Sequence, residues 1–252
     1  MSNNSVVSIC QETMMILANF ARINPGLRFN IGEENEGSKL ISIDPSKALF
    51  AHAVIKEVLP QEFFIYDLTR FLNILKHPAF KDGTIEFNSD YLTLTGLGAD
   101  GKKVEIVYHY SDDRLDYFKG TQGYNDLPLA NNPIFSANLS KEQLDNFLKA
   151  ASALEHEFLI LKNENGISSL IASSSKNTKT SKNLSSDDYT QQVNGISLPD
   201  SETCFPIKML KIIPGDYTFN VIEMETSDGD DLNVLLAKNS DFDLNYMITE
   251  SP

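Results

Sequence analysis

The sequence predicts an α+β protein built from two similar halves, each with short helices packed on one face of antiparallel sheets. Three features predict it. The stretch Phe63 to Lys76, FFIYDLTRFLNILK, runs as an apolar strand straight into a short amphipathic helix, and a unit of this kind recurs about four times along the chain. Between these units, short stretches alternate apolar and polar residues and are bounded by turn formers, as half-buried strands are. A segment without period, 111–133, divides the chain near its middle. The 252 residues, 41% of them hydrophobic, suffice for two domains of roughly 100–130 residues.

The first helix is expected from Ser8 to Ile23, where Ile9, Thr13, Ile16, Leu17 and Phe20 keep a helical period and Asn24, Pro25 and Gly26 stop it. Strands follow at Leu27 to Ile31, Lys39 to Ile43, Leu49 to Val54 and Glu62 to Tyr66. Asp67 caps the second helix, which runs to Lys76 with Leu68, Phe71, Leu72 and Leu75 on its apolar face and Thr69, Arg70, Asn73 and Lys76 opposite. Strands at Thr84 to Phe87, Tyr91 to Thr95 and Lys102 to Tyr110 complete domain 1, residues 1–110. The connector, 111–133, carries Leu115, Tyr117, Phe118, Tyr124, Leu127 and Leu129, too many large apolar groups for an idle linker.

Domain 2, residues 134–252, repeats the plan. A strand at Ile134 to Asn138 leads to a helix capped by Ser140, with Leu144, Phe147, Leu148, Ala151 and Leu154 on its buried side. Strands follow at Phe158 to Lys162 and Ile167 to Ser173. The polar, low-complexity run 174–186 is expected as a surface loop. Then come a strand at Tyr189 to Val193, a fourth helix at about Phe205 to Ile212 with Pro206 in its first turn, and strands at Tyr217 to Glu225, Leu232 to Lys238 and Leu244 to Thr249.

The formal net charge of −14 argues on its face against nucleic acid, so the placement of the basic residues decides that question. Cys10 and Cys204 stand alone, which implies no disulfide framework or thiolate metal site and fits a reducing cytoplasm. No long apolar run or signal-peptide pattern is present. Gly96, Gly98 and Gly101 spell GxGxxG, but a dinucleotide fingerprint needs a helix next and the following residues alternate like a strand, so a hairpin turn is expected. His52, His77, His109 and His156 show no metal spacing, and no nucleophile or phosphate-loop motif occurs. Asp228, Asp230 and Asp231 around Gly229 read as a hairpin tip. Arg22, Arg70, Lys76, Lys141, Lys149, Lys208 and Lys211 all fall on polar helix faces. Singly they read as solvated surface. Together they predict a helix side less acidic than the strand side, an inference that Glu12, Glu142 and Asp145 dilute.

Four segments, ILANFARINPG (16–26), IYDLTRFLNIL (65–75), LDNFLKAASAL (144–154) and KMLKIIPGDYTFNV (208–221), together resemble the sliding clamps of T-even-type bacteriophages. Their order and spacing match over nearly the whole chain, and they fall on the four expected helices and their exits, including the turn Pro214 to Tyr217. The resemblance implies two similar domains of the DNA clamp fold and a ring-shaped, head-to-tail homotrimer with helices inside and sheets outside. With four helices per chain, twelve helices at ~9 Å spacing span a circumference of ~110 Å and a diameter of ~34 Å. Subtracting a helix thickness of ~10 Å leaves a hole of ~24 Å, wide enough for a duplex.

The resemblance further implies a processivity factor without catalysis, cofactor or metal. It would encircle duplex DNA irrespective of sequence and tether the replicative DNA polymerase during viral replication in the cytoplasm of the infected host. An ATP-dependent clamp loader and the late-transcription machinery are the other implied partners. Arg22, Arg70, Lys76, Lys141, Lys149, Lys208 and Lys211 would face DNA; Lys149 and Lys211 match basic positions of the family, whereas Ala18 and Ser152 fall where a basic residue is expected. Ring closure would pair the edges Val104, Ile106, Tyr108 and Tyr189, Gln191, Val193. Leu115, Tyr117, Phe118, Leu127, Tyr246 and Ile248 are the expected groove for partner peptides, or alternatively a seal between the domains. A phage structural or assembly protein with duplicated β-rich domains is the alternative, and an enzyme with a site assembled from scattered residues a third.

Overall fold

The computed structural model describes residues 6–33, 36–111, 132–176, 187–196, 198–225, 229 and 231–250. Two short strand residues, β1 (Val6–Val7), precede helix α1 (Gln11–Ile23). Cys10 is the N-cap of α1, and the buried Glu57 reinforces it: its carboxylate accepts the Cys10 N–H at 2.6 Å and the Thr13 hydroxyl at 2.5 Å. A negative group at this end also meets the positive pole of the helix dipole. The helix stops where expected because Asn24 turns extended, donates to the Ile43 carbonyl at 2.7 Å and accepts the Gly26 N–H at 2.9 Å. Strands β2 (Leu27–Glu33), β3 (Gly37–Ile43), β4 (Leu49–Ile55) and β5 (Phe63–Ile65) follow. Asp67 then caps α2 (Leu68–Leu75) through the Arg70 N–H, and the Leu68 N–H reaches back to the Pro25 carbonyl at 2.8 Å, tying the start of α2 to the exit of α1.

A 3-10 turn at Pro78–Phe80 leads to β6 (Thr84–Phe87), β7 (Tyr91–Leu97) and β8 (Lys103–His109). The GxGxxG run is the expected hairpin. Gly98 donates to the Lys102 carbonyl at 2.8 Å, Gly101 has φ +75°, and a Cβ on Gly96 would run into the Ala79 carbonyl of the 3-10 turn packed over it.

The second half begins with β9 (Phe135–Leu139) and α3 (Lys141–Ala153). Ser140 and Gln143 form a reciprocal capping box, and Asp216 adds a second cap by accepting the Lys141 N–H at 2.7 Å. Strands β10 (Phe158–Glu164), β11 (Ile167–Ser173), β12 (Tyr189–Gly195), β13 (Ser201–Pro206), β14 (Tyr217–Glu225), β15 (Asp231–Asn239) and β16 (Leu244–Thr249) complete it.

The fourth helix is corrected. Its first residues belong to β13, which pairs with β10 from Phe158↔Pro206 to Asn163↔Ser201, and only a 3-10 turn, Ile207–Met209, remains. Two prolines leave too little room: Pro206 ends the strand and Pro214 biases Ile213 out of the helical region. Between them Met209, Leu210, Ile212 and Ile213 are all buried, a near-continuous apolar run that one helix face could not bury.

The two units of the chain are Met1–Asp44 with Ala51–Asp126, and Pro45–Phe50 with Leu127–Pro252. The sequence reading put Pro45–Phe50 in the first domain. The backbone puts it in the second unit, where Ala48 accepts the Thr249 N–H at 3.0 Å. In the first unit the strand orders are β5-β2-β3-β4 and β1-β6-β7-β8; in the second they are β13-β10-β11-β12 and β9-β14-β15-β16, joined by the pairs Asn194↔Asn138 and Gly195↔Ala137. Strand for strand these are the same connectivity, with α1 and α3 after the first strand of each unit and α2 and the 3-10 turn Ile207–Met209 after the fifth. Each unit has its own core, around Ile16, Leu17, Phe20, Leu40 and Leu68 in the first and Phe135, Phe147, Phe205 and Phe219 in the second.

Candidate functional site

In the first unit α1 and α2 pack together and turn their polar faces outward. Arg22, in the last turn of α1 where a cation suits the dipole, is exposed, as are Arg70 and Lys76 on α2. In the second unit Lys141 and Lys149 are exposed on α3 and Lys208 on the 3-10 turn, while Lys211 is half-buried beyond it. The placement of Lys208 and Lys211 on the polar face of a fourth helix is therefore corrected, because that helix does not form. Among the described residues, Arg22, Arg70, Lys76, Lys141, Lys149 and Lys208 enter no ion pair, whereas Arg28, Lys56, Lys102, Lys103 and Lys162, on strands or the turns beside them, do. The helix acid Glu12 is itself engaged by Lys56 at 2.6 Å. The exposed helix cations are thus left available to an external anion.

The strand edges open among the described residues include those of β8 and β12. Among the described residues β8 ends its sheet, pairing with β7 on one side only. Its residues alternate between exposed and half-buried, with Val104, Ile106 and Tyr108 on the half-buried face and Val107 53% exposed on the other. Tyr108 is anchored by α2, its ring centroid 5.3 Å from that of Phe71, and burial pushes its phenol above the ordinary range. β12 pairs with β11 along Tyr189–Val193, while β9 takes up only Asn194 and Gly195 on the other side, so the Tyr189–Val193 edge is unpaired among the described residues. Tyr189, Gln191 and Val193 are its half-buried face, and Tyr189 leans on Phe147 of α3 at 6.2 Å between centroids. In each unit an open edge is thus fastened to a helix by a tyrosine on a phenylalanine.

The expected peptide groove is corrected in part. Tyr246 and Ile248 are both 0% exposed. Tyr246 packs against Tyr217, and its hydroxyl accepts the Ile213 N–H at 3.2 Å, so both residues belong to the core of the second unit rather than to a surface. Leu115, Tyr117, Phe118 and Leu127 lie outside the described residues. Among the described residues no cluster of His, Cys, Asp and Glu is arranged to hold a metal, and no helix is long and apolar enough to cross a membrane. Cys204 is half-buried, and burial pushes its thiol up to about 11, which keeps it protonated and unreactive at neutral pH.

The duplicated connectivity has counterparts among known folds. The PCNA of Thermococcus kodakaraensis superposes with a TM-score of 0.64 at 13% identity over 96% of this chain and 97% of that one. The Helicobacter pylori beta clamp does so with 0.68 at 10% identity, over 100% of this chain and 67% of the other. This chain has the sliding-clamp fold. No family model matches it, but the sliding clamp of Vibrio phage KVP40 is 24% identical over 214 residues, 84% of this chain and 88% of that protein. Within the sliding-clamp fold the sequence reading missed β13 and β1. The signal for β13 was the alternation Thr203, Phe205, masked by the terminal Pro206. A pair as short as Val6–Val7 leaves no periodic signal.

Proposed function

We propose that this protein is a phage sliding clamp: a homotrimeric ring that encircles duplex DNA without reading its sequence and holds the replicative polymerase at the primer end. The observation that supports it most is the double occurrence of one clamp-type connectivity in a single chain that also has a phage clamp as a sequence relative. The protein does no chemistry in this reading. Topology keeps the ring on DNA, and tethering raises the effective concentration of polymerase at its substrate. The unpaired cations Arg22, Arg70, Lys76, Lys141, Lys149 and Lys208, with Lys211, meet phosphates through long flexible side chains. Such contacts are weak, salt-sensitive and free of base readout, so they permit sliding. The excess of acid elsewhere, which sets the net charge at −14, repels DNA from the other surfaces.

Ring closure pairs the open β8 edge of one subunit with the open Tyr189–Val193 edge of the next, a heterologous contact that repeats until the ring shuts. An ATP-driven loader opens it, the late-transcription machinery is a further user, and the setting is the cytoplasm of the infected bacterial cell. Light scattering over a dilution series, followed by small-angle scattering on the same sample, tests the reading. Three times the 28.1 kDa chain mass with the scattering of a hollow ring is expected. A single-chain mass at every concentration, persisting with duplex DNA and loader present, would overturn it.

A further inference from the structure

The first unit contains a cleft of about 660 Å³ of which the clamp reading uses only Lys76. It opens where the start of α1, the end of α2 and the 3-10 turn Pro78–Phe80 come together over β6 and β7. Its floor is apolar: Phe80, Ile85 and Leu94 are buried beneath it, and Ile9, Met14 and Leu75 line it while remaining half-exposed. The volume lies within the range of sites that enclose a ligand of some size. Lys76 and Lys81 stand on its rim, both exposed and neither in an ion pair among the described residues; Asp82 is the one acid that lines it. Two free cations beside one carboxylate make a locally basic mouth in a chain whose net charge is −14.

β1 also leaves the edge of β6 early. It pairs through Val6↔Glu86 and Val7↔Ile85, after which the chain departs at Ser8, whose hydroxyl donates to the Gly83 carbonyl at 3.3 Å. Thr84, exposed at the cleft, is therefore the first residue of β6 with no partner in β1. We propose that this cleft is a docking site for an acidic partner peptide, which places one large apolar side chain on the Met14–Leu75 floor and flanking carboxylates against Lys76 and Lys81. A phosphate backbone matches the two lysines but gains nothing from the apolar floor, whereas an amphipathic acidic peptide uses both. The proposal rests on the first unit alone, and in a ring threaded on DNA the peptide and the duplex would compete for Lys76.

The test uses the full chain with 13C-methyl-labelled methionine and a panel of fluorescein-labelled pentapeptides, each with Leu, Phe, Met or Ile between Glu-Asp and Asp-Glu flanks. At least one peptide is expected to bind saturably with a dissociation constant below about 1 mM. It should shift the Met14 methyl resonance and leave those of Met209 and Met247, in the second unit, in place. Lys81→Glu should weaken binding at least fivefold, and Ser8→Trp, which puts an indole at the exposed rim, should abolish it, both with the remaining methyl spectrum intact. Three results would each overturn the proposal: no saturable binding by any peptide, binding that leaves Met14 unmoved, or a short DNA duplex that shifts Met14 and is weakened by Lys81→Glu as much as the peptide is. The last would make the cleft a phosphate site.

Discussion

Glu57 is the residue on which the start of α1 depends, since its two carboxylate oxygens hold the Cys10 N–H and the Thr13 hydroxyl from inside the fold. Removing a buried charged acceptor strands both donors. Glu57→Ala should cost about 2–3 kcal/mol, and Glu57→Gln, which keeps one acceptor oxygen, visibly less, both read from urea unfolding midpoints. Tyr217 shows the same principle through its protonation. Its hydroxyl donates to the Ile213 carbonyl at 2.7 Å inside the second unit, and burial pushes the phenol up to about 12 from an ordinary 10.0. The unfolded chain therefore loses this proton before the fold does. Its contribution to stability is whole below pH 10 and is lost as the pH rises toward 12. Unfolding midpoints across that range should fall, and Tyr217→Phe should flatten the fall while costing about 1 kcal/mol at neutral pH for the lost hydrogen bond. At the surface the expectation differs in kind. Lys149→Ala should leave stability unchanged and lower the salt dependence of duplex binding by about one phosphate, for any DNA sequence.

The elements themselves were legible wherever one physical rule decided them. The helix at Asp67 and the one after Ser140 were readable because a capping side chain stood directly before an apolar stripe, and the GxGxxG hairpin because no helix followed the glycines. The failures came where tertiary partners outweighed local pattern. Residues 205–212 look helical in isolation, but Phe205 pairs with Leu159 and the next turn is spent burying Met209 and Leu210, so a strand and a single 3-10 turn replace the helix. Tyr246 and Ile248, expected in a partner groove or alternatively in a seal between the domains, are a similar case, since alternation along β16 does not say which layer covers each face. The role of Asp216 was not visible either, because it caps α3 from a turn that lies 75 residues away in sequence. That cap has a measurable consequence. Asp216→Ala and Ser140→Ala should each lower thermal stability by about 1 kcal/mol, and the pair should fall short of additive because both secure the same first turn. Any loosening should also weaken duplex binding through Lys141 and Lys149.

At the scale of the whole molecule, the proposed ring makes an oddly specific demand on assembly. A head-to-tail contact uses two different surfaces of each chain, here the β8 edge and the Tyr189–Val193 edge, so losing either surface breaks every contact in the ring. Ile106→Arg on β8 and Val193→Arg on β12 each place a charge on the half-buried face of an open edge, and each should reduce the protein to the 28.1 kDa single chain. An unchanged thermal transition in each variant shows that the fold has survived. The two variants fail at opposite ends, however. The Ile106→Arg chain keeps a sound Tyr189–Val193 edge, and the Val193→Arg chain keeps a sound β8 edge, so a mixture contains the two halves of one good contact. Mixing them should produce a dimer of twice the chain mass that cannot grow, because its outer edges are the two damaged ones. A self-complementary contact would behave otherwise, since both variants would damage the same patch and mixing would restore nothing. Light scattering on the equimolar mixture therefore separates a ring built from these two edges from every symmetric alternative. A mixture that stays at the single-chain mass would remove β8 and β12 as the closing strands.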